Sequence, residues 1–255
     1  MTISTLLVKA SNPRQVTLVD DLLKAEFENL DVEVKVSINT SNKWVQVSLS
    51  GEDEVIVINY IKREIGTCPV NIKNIKEFSN LKGYISKIDF DNQMLNVDVG
   101  VFEPKIVRAV IPLSYLQAQF ADGQNVSLKK IAEIYGFQVN LPLSTKIIAL
   151  PNENDDKMPA ELSTEQLEKI LSWQHSLLDR LIVLNAPISQ IEAVLERTKL
   201  DRDVIGIERL GLFEHALICK FGTDAAGLIP RIGRFLRHSV FVVFNPRESL
   251  GLIGQ

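Results

Sequence analysis

One order of predicted elements occurs at both ends of the chain, and it restricts the folds that the chain can adopt. In residues 1–79, segments of alternating apolar residues predict four strands, and helical apolar spacing predicts two helices between them. The strands are predicted at 3–9, 32–38, 44–49 and 69–72, and the helices at 12–27 and 51–65. This βαββαβ order is typical of the ferredoxin-like module.

Residues 181–255 repeat this pattern of elements without a strong repeat in residue identity. Strands are predicted at 181–184, 203–209, 213–221 and 240–244, and helices at 187–197 and 224–236. The C-terminal region is therefore expected to form a second ferredoxin-like module.

The middle of the chain changes to short strands separated by turn residues. Strands are predicted at 83–88, 94–99, 105–111 and 146–150, with a further short strand near 137–143 and helices at 113–120 and 127–135. Strands in this number, with a helical insertion, are typical of a small oligonucleotide/oligosaccharide-binding (OB) barrel. After the barrel, polar residues 151–159 predict a mobile linker, and Ser163 with Gln166 predicts a capping box that starts a helix.

We therefore expect an α+β protein in which two ferredoxin-like βαββαβ modules flank a small OB-type β-barrel. The predicted divisions are 1–79 for the first module, 80–150 for the barrel with its helical insertion, 151–180 for an acidic linker and helix, and 181–255 for the C-terminal module.

The charge and cysteine content limit the class of protein. A net charge of −4, from 28 basic and 32 acidic residues, argues against a histone-like polyanion binder but allows a local basic patch. The cysteines Cys68 and Cys219 are too few for a disulfide framework or a zinc finger. The first residues lack the pattern of a signal peptide, and no apolar run reaches the ~18 residues that span a bilayer. We expect a cytoplasmic protein without membrane contact.

The sequence predicts no catalytic residue, metal site or cofactor. The three histidines lie in different predicted elements, and neither a P-loop nor a dinucleotide-binding glycine turn is present. His215 and Cys219 share one face of a predicted strand, but residues four apart on a strand stand about 13 Å apart. Packed side chains are therefore favoured over a nucleophilic pair, and we expect a protein that is not an enzyme.

A binding function is more consistent with the residues. The barrel segment carries cations and aromatic rings, the combination that single-stranded nucleic acid requires because cations contact phosphates and rings stack on bases. These residues are Tyr84, Lys87, Phe90, Lys105 and Arg108. The alternative is an ordinary solvated barrel face with two partly buried rings.

The last predicted helix offers a second basic surface. Arg231, Arg234 and Arg237 recur every three residues after Asp224, the predicted N-cap, so they are expected to line one side of the helix. Contact with phosphates is one interpretation. The alternative is that basic residues are favoured near a helix C-terminus by the helix dipole.

Three segments of the middle region resemble a known RNA-binding barrel. They are residues 83–88 (GYISKI), 95–100 (LNVDVG) and 110–114 (VIPLS). They resemble the barrel that is repeated in the largest bacterial small-subunit ribosomal protein. The resemblance implies a barrel that binds RNA.

Other segments resemble a conserved archaeal family of unknown function. They are residues 44–47, 50–54, 203–205, 208–216 and 222–230. The order of a barrel, a helical piece and a C-terminal α+β module is also similar to that of the alpha subunit of archaeal translation initiation factor two. Together the resemblances imply an RNA-binding adapter associated with archaeal translation or RNA processing, with ribosomal or single-stranded RNA and a protein of that machinery as partners.

One motif suggests a different class of function. Residues 224–232 (DAAGLIPRI) resemble the strand-to-helix turn of ACT regulatory domains, which bind amino acids. The resemblance implies a ligand near Asp224 and Gly227, because a glycine lets backbone amides approach a ligand closely. The alternative function is therefore a small-molecule regulatory protein.

Overall fold

The computed structural model describes residues 2–152 and 154–253, and the chain divides into two compact units. Unit 1 comprises Met1–Asn74 and Gly100–Lys105, and unit 2 comprises Ile75–Val99 and Ile106–Gln255. Each unit is described by itself below.

Unit 1 packs two helices on a three-stranded antiparallel sheet. The elements are β1 (Thr2–Lys9), α1 (Pro13–Glu26), β2 (Glu33–Ile38), β3 (Trp44–Ser50), α2 (Glu54–Glu64) and β4 (Val70–Asn71). The strand order is β1-β3-β2. Asn12 caps α1 by accepting a hydrogen bond from the Gln15 amide, as a helix N-cap does. Leu23 of α1 and Ile61 of α2 are fully buried, so the helices supply the core above the sheet.

The strand predicted at 69–72 does not extend this sheet. Only Val70–Asn71 is a strand, and it pairs in parallel with Val101 and Glu103 instead of with β1. At the edge of β1 where a fourth strand was expected, the described residues form one isolated β-bridge, between Leu6 and Thr67. Val70 has a φ of +63°, which turns the backbone away from β1. The predicted fourth strand of the first module is therefore wrong in its pairing.

Unit 2 begins with a barrel. Its elements are β5 (Asn80–Asp89), β6 (Met94–Glu103), β7 (Val107–Pro112), α3 (Leu113–Phe120), α4 (Leu128–Tyr135), β8 (Pro142–Ile147) and β9 (Lys157–Leu162). The last residues of β6 belong to unit 1. The strands pair in the order β6-β5-β8-β9-β7, and β7 pairs again with β6. The predicted five-stranded barrel is therefore confirmed as a closed structure.

The strand that closes the barrel lies outside the predicted position. A closing strand was expected at 146–150, but β8 ends at Ile147 and the ring closes through β9, which begins inside the segment 151–159 that was expected to be a mobile linker. On β9, Met158 and Leu162 are buried whereas Lys157 is exposed, so its two sides alternate as in other barrel strands. β9 runs parallel to β7 and antiparallel to β8.

The rest of unit 2 is a helix followed by a four-stranded α+β module. The elements are α5 (Thr164–His175), β10 (Arg180–Leu184), α6 (Ile188–Thr198), β11 (Val204–Arg209), β12 (Glu214–Cys219), α7 (Ala225–Gly233), β13 (Val240–Phe244) and α8 (Pro246–Ile253). The strand order is β11-β12-β10-β13, and every pair is antiparallel. The order of elements from β10 to β13 agrees with the prediction, whereas α7 ends three residues early and α8 was not predicted. No helix in the described part of the chain is long and apolar enough to cross a membrane.

Both faces of the central strands β10 and β12 of the C-terminal sheet are buried. On one face, Leu181 and Leu217 join a core that the helices α6 and α7 complete. On the other face, Phe244 packs edge-on against Trp173 of α5, with ring centroids 5.4 Å apart. Gly136, which ends α4 with a φ of +66°, lies against this second face, where an added Cβ would stand 3.3 Å from Val242.

We predict that β9 contributes to stability as a barrel strand. Replacing Met158, which is fully buried, by alanine leaves a cavity and should lower the free energy of unfolding by about 2–5 kcal/mol. Lys157→Ala on the exposed side of the same strand should change it by less than about 0.5 kcal/mol. Urea unfolding of the full chain measures both values, and equal effects would contradict the assignment.

Candidate nucleic-acid interface

Tyr84 is not available to stack on a base. Its side chain is 3% exposed, and its hydroxyl donates a hydrogen bond to the Glu214 carboxylate over 3.4 Å. Tyr84 lies opposite Asp98 in the β5–β6 ladder, and both Asp98 and the outward-facing Asn96 are buried. The outer side of β5 and β6 is therefore covered around Tyr84.

Lys87 and Phe90 lie at the turn between β5 and β6. The Asp89 carboxylate accepts hydrogen bonds from the Lys87 ammonium at 2.9 Å and from the backbone and side-chain amides of Asn92. These bonds, chiefly that from Lys87, hold the pKa of Asp89 well below its usual range. The ordered turn leaves Phe90 exposed at its tip. Phe90 is thus an aromatic ring that is held in place and accessible to a base.

The predicted barrel residues do not form one platform. The Leu113 amide bonds to the Gln93 carbonyl, which places the end of β7 beside the Phe90 turn. Arg108 is five residues earlier on β7, so it lies about 16 Å away along the strand. It is half-buried and pairs with Lys157 in the β7–β9 ladder. Lys105 belongs to unit 1.

The three predicted arginines of the C-terminal module lie on a helix, its cap and the turn after it. Arg231 is inside α7, Arg234 is the C-cap, and Arg237 follows in the turn, where its Nε donates to the Arg234 carbonyl. Arg231 donates to the Thr198 carbonyl and lies 3.5 Å from the Asp203 carboxylate. The prediction of one continuous helical row is therefore wrong beyond Gly233, although all three side chains are exposed.

A fourth arginine, which the sequence reasoning missed, joins this surface. The Arg197 guanidinium of α6 stands 4.6 Å from the centre of the Phe235 ring, and the Arg234 guanidinium stands 4.8 Å from the same ring. Within the described residues, neither group has a carboxylate in salt-bridge distance. Arg197 and Arg234 are 37 positions apart, so no local sequence pattern links them. The available signal was a basic residue at the end of the predicted helix at 187–197, just before the predicted hairpin. We call the exposed group of Arg197, Arg231, Arg234 and Arg237 around Phe235 the arginine surface.

The residues of the alternative ligand site serve the helix itself. The Asp224 carboxylate accepts a hydrogen bond from the Ala226 amide and so caps α7. Gly227 is exposed, and an added Cβ would meet only the Asp224 carboxylate, at an ordinary 3.6 Å. No close backbone approach therefore requires a glycine at this position.

His215 and Cys219 of β12 are packed side chains. Burial raises the pKa of the Cys219 thiol to about 11 and lowers that of His215 to about 4. The backbone of Ala186 and Leu212 beside the His215 ring raises this pKa, but the effect of burial is larger. A neutral thiol is a poor nucleophile, so the arrangement agrees with the packed interpretation of this pair. The described residues contain no group of three or more potential metal ligands.

Models of one protein family match three successive parts of the chain. They are the DUF2110 N-terminal domain at residues 5–71, the DUF2110 central domain at residues 76–174 and the DUF2110 C-terminal domain at residues 178–244. No curated protein matches the chain. The central match contains β9 and all but the last residue of α5, as well as the other barrel strands.

We predict that Gly227→Ala does not destabilise the protein. Alanine has the higher helix propensity, by about 1 kcal/mol in a helix interior, and the position has space for a methyl group. The melting temperature should therefore stay constant or rise. Gly211→Ala is the contrasting variant, because its Cβ would stand 2.2 Å from the Glu214 carboxylate. A marked loss of stability in Gly227→Ala would indicate a constraint that the fold does not explain.

Proposed function

Since the chain belongs to the DUF2110 family, whose three domain models name no activity, we propose a function from its own surfaces: it is a non-enzymatic RNA-binding adapter. The observation that carries this proposal is the arginine surface. Resemblance to the ribosomal barrel and to an archaeal family supports a place in translation or RNA processing in the archaeal cytoplasm.

The electrostatics of the arginine surface favour a polyanion. Arg197 and Arg234 hold two like charges against one phenyl ring, and each is exposed. The ring attracts both cations but neutralises neither. Phosphates along a nucleic acid would relieve the repulsion between them, and guanidinium groups bind phosphate oxygens through paired hydrogen bonds.

A second feature favours single-stranded RNA as the polyanion. Phe90 is exposed at an ordered turn of the barrel, where a base can stack on the ring. The Lys87 ammonium beside it is exposed too, although it bonds to Asp89. We infer that the barrel is of the OB type, in which the loop between the first two strands contributes to oligonucleotide binding.

The adapter part of the proposal rests on unit 1. Its two helices expose four large aliphatic side chains, which favour contact with a protein. They are Leu18, Leu22, Val55 and Ile56. We also propose that both flanking modules are variants of the ferredoxin-like fold, which the strand order β11-β12-β10-β13 supports for the C-terminal module.

We predict that removing charge from the arginine surface weakens RNA binding. In the triple variant Arg197→Gln, Arg234→Gln and Arg237→Gln, three phosphate contacts are lost. The slope of log affinity against log salt should therefore decrease by about 2, at ~0.7 for each contact to a single strand. Fluorescence anisotropy with a labelled mixed-sequence RNA, over a salt series, measures the slope.

The matched control removes the same charge from exposed positions of unit 1, in Arg14→Gln, Lys62→Gln and Arg63→Gln. It should retain the original slope. RNA binding that is absent at low salt, or that both triple variants weaken equally, would overturn the proposed function.

We predict a separate role for Phe90 in stacking. Phe90→Ala should weaken binding of single-stranded RNA by about 1–3 kcal/mol, because one base loses its stacking partner. Binding of duplex RNA should change little, since paired bases remain inside the helix. The control Phe221→Ala removes another exposed ring of unit 2, and comparable losses in the two variants would contradict a specific contact at the turn.

A further inference from the structure

A carboxyl group is buried where the C-terminal sheet meets the barrel. Glu214, the first residue of β12, is 2% exposed. Its Oε2 accepts a hydrogen bond from the Tyr84 hydroxyl of β5 at 3.4 Å and from the Phe213 amide at 3.3 Å. The group therefore bonds to both parts of unit 2, through long hydrogen bonds.

The surroundings of Glu214 contain little positive charge. Arg209 of β11 is the cation that interacts with it, but Arg209 is exposed and its Nε donates to the Gly211 carbonyl. From β6, the acidic Asp98 lies opposite Tyr84 in the ladder. From β10, the apolar Leu184 pairs with Glu214. His215, the next residue on β12, points to the opposite face of the sheet.

The contact leaves no space for water on the side of the hairpin turn. An added Cβ at Gly211 would stand 2.2 Å from Oε2 of Glu214 and 3.3 Å from the Tyr84 hydroxyl. An ionised carboxylate in this position would lose its hydration without gaining a paired cation. Burial accordingly raises the pKa of Glu214 to about 8, against the smaller lowering effects of Phe213, Tyr84 and Arg209.

We propose that Glu214 is a pH-sensitive latch, which in its protonated form holds the β11–β12 hairpin on the barrel and on ionisation releases it. The protonated carboxyl fits the apolar contact without an unpaired charge. Ionisation places a charge in a site closed to water, so the hairpin moves away and hydrates the carboxylate. Its release exposes Tyr84.

The pH range follows from the direction of the pKa change. The unfolded chain releases the Glu214 proton near pH 4.5, whereas the folded chain keeps it until about pH 8, so stability falls as the pH rises between these values. His215 acts oppositely, since its folded pKa of about 4 lies below the unfolded value of 6.5, and it stabilises the fold as the pH rises to 6.5. From pH 6.5 to 8 the effect of Glu214 is the larger of the two, because the unfolded His215 has lost at least half of its protons.

The test uses the full chain between pH 6.5 and 8. The urea midpoint of the unmodified protein should fall across this range, while that of the neutral variant Glu214→Gln should stay constant. Glu192→Gln, at an exposed carboxylate of the same unit, should retain the fall. Hydrogen exchange, corrected for its intrinsic pH dependence, should show faster opening at the Leu210 and Gly211 amides, which bond to the Glu214 carbonyl.

NMR titration of the Glu214 side-chain carboxyl carbon keeps the proposal testable if Glu214→Gln does not fold. A midpoint well above the usual range, with hairpin exchange that increases over the same pH interval, supports the latch. A carboxyl that titrates near pH 4.5, a midpoint in urea that is constant in the unmodified protein, or a fall that persists in Glu214→Gln would overturn it.

Discussion

The central strands of the C-terminal sheet are buried on both faces, and the chemistry of the described surface of unit 2 depends on this constraint. A sheet of this order with one open face offers a platform for a ligand, but here α5 and the barrel occupy that face. Groups on it, such as Glu214 and Arg180, therefore lose most of their water. For the C-terminal module, the accessible side that carries clustered cations is the outer side of α6 and α7, where the arginine surface lies.

Two buried titratable side chains on this face compensate for the loss of water in different ways. The Arg180 guanidinium donates from Nη1 to the carbonyls of Trp173 and Leu178, and it stacks 5.0 Å from the Trp173 ring. Burial lowers its pKa, but the nearby Glu208 favours the charged form. Glu214 has no equivalent set of donors, and its protonated form is favoured instead. The two groups differ in their partners, since Arg180 has carbonyl acceptors and an aromatic ring whereas Glu214 has two long hydrogen bonds.

Local signals in the sequence predicted much of this fold. Ser127, Ser163 and Asp224 each cap the helix that was expected after them, because a capping hydroxyl or carboxylate acts within a few residues. Pairing between distant strands left no such signal. β9 was missed because its polar and acidic neighbours dominate residues 151–159, while the alternation of Met158 and Leu162 covers only a few positions. Tyr84 was assigned to the surface because its burial depends on Glu214, 130 residues away.

The candidate site, like the fold, could be predicted only in part from the sequence. The structure changes which of its arginines are available to a ligand. Asp203 partly neutralises Arg231, the single arginine of the predicted row inside α7. The charge open to a ligand is therefore concentrated on Arg197, Arg234 and Arg237, in the layer around Phe235. A net charge of −4 for the whole chain conceals this separation, because residues 151–180 alone contribute −4. The remaining residues have no net charge, so long-range attraction of a polyanion is weak and binding depends on short-range contacts with a few ordered guanidinium groups.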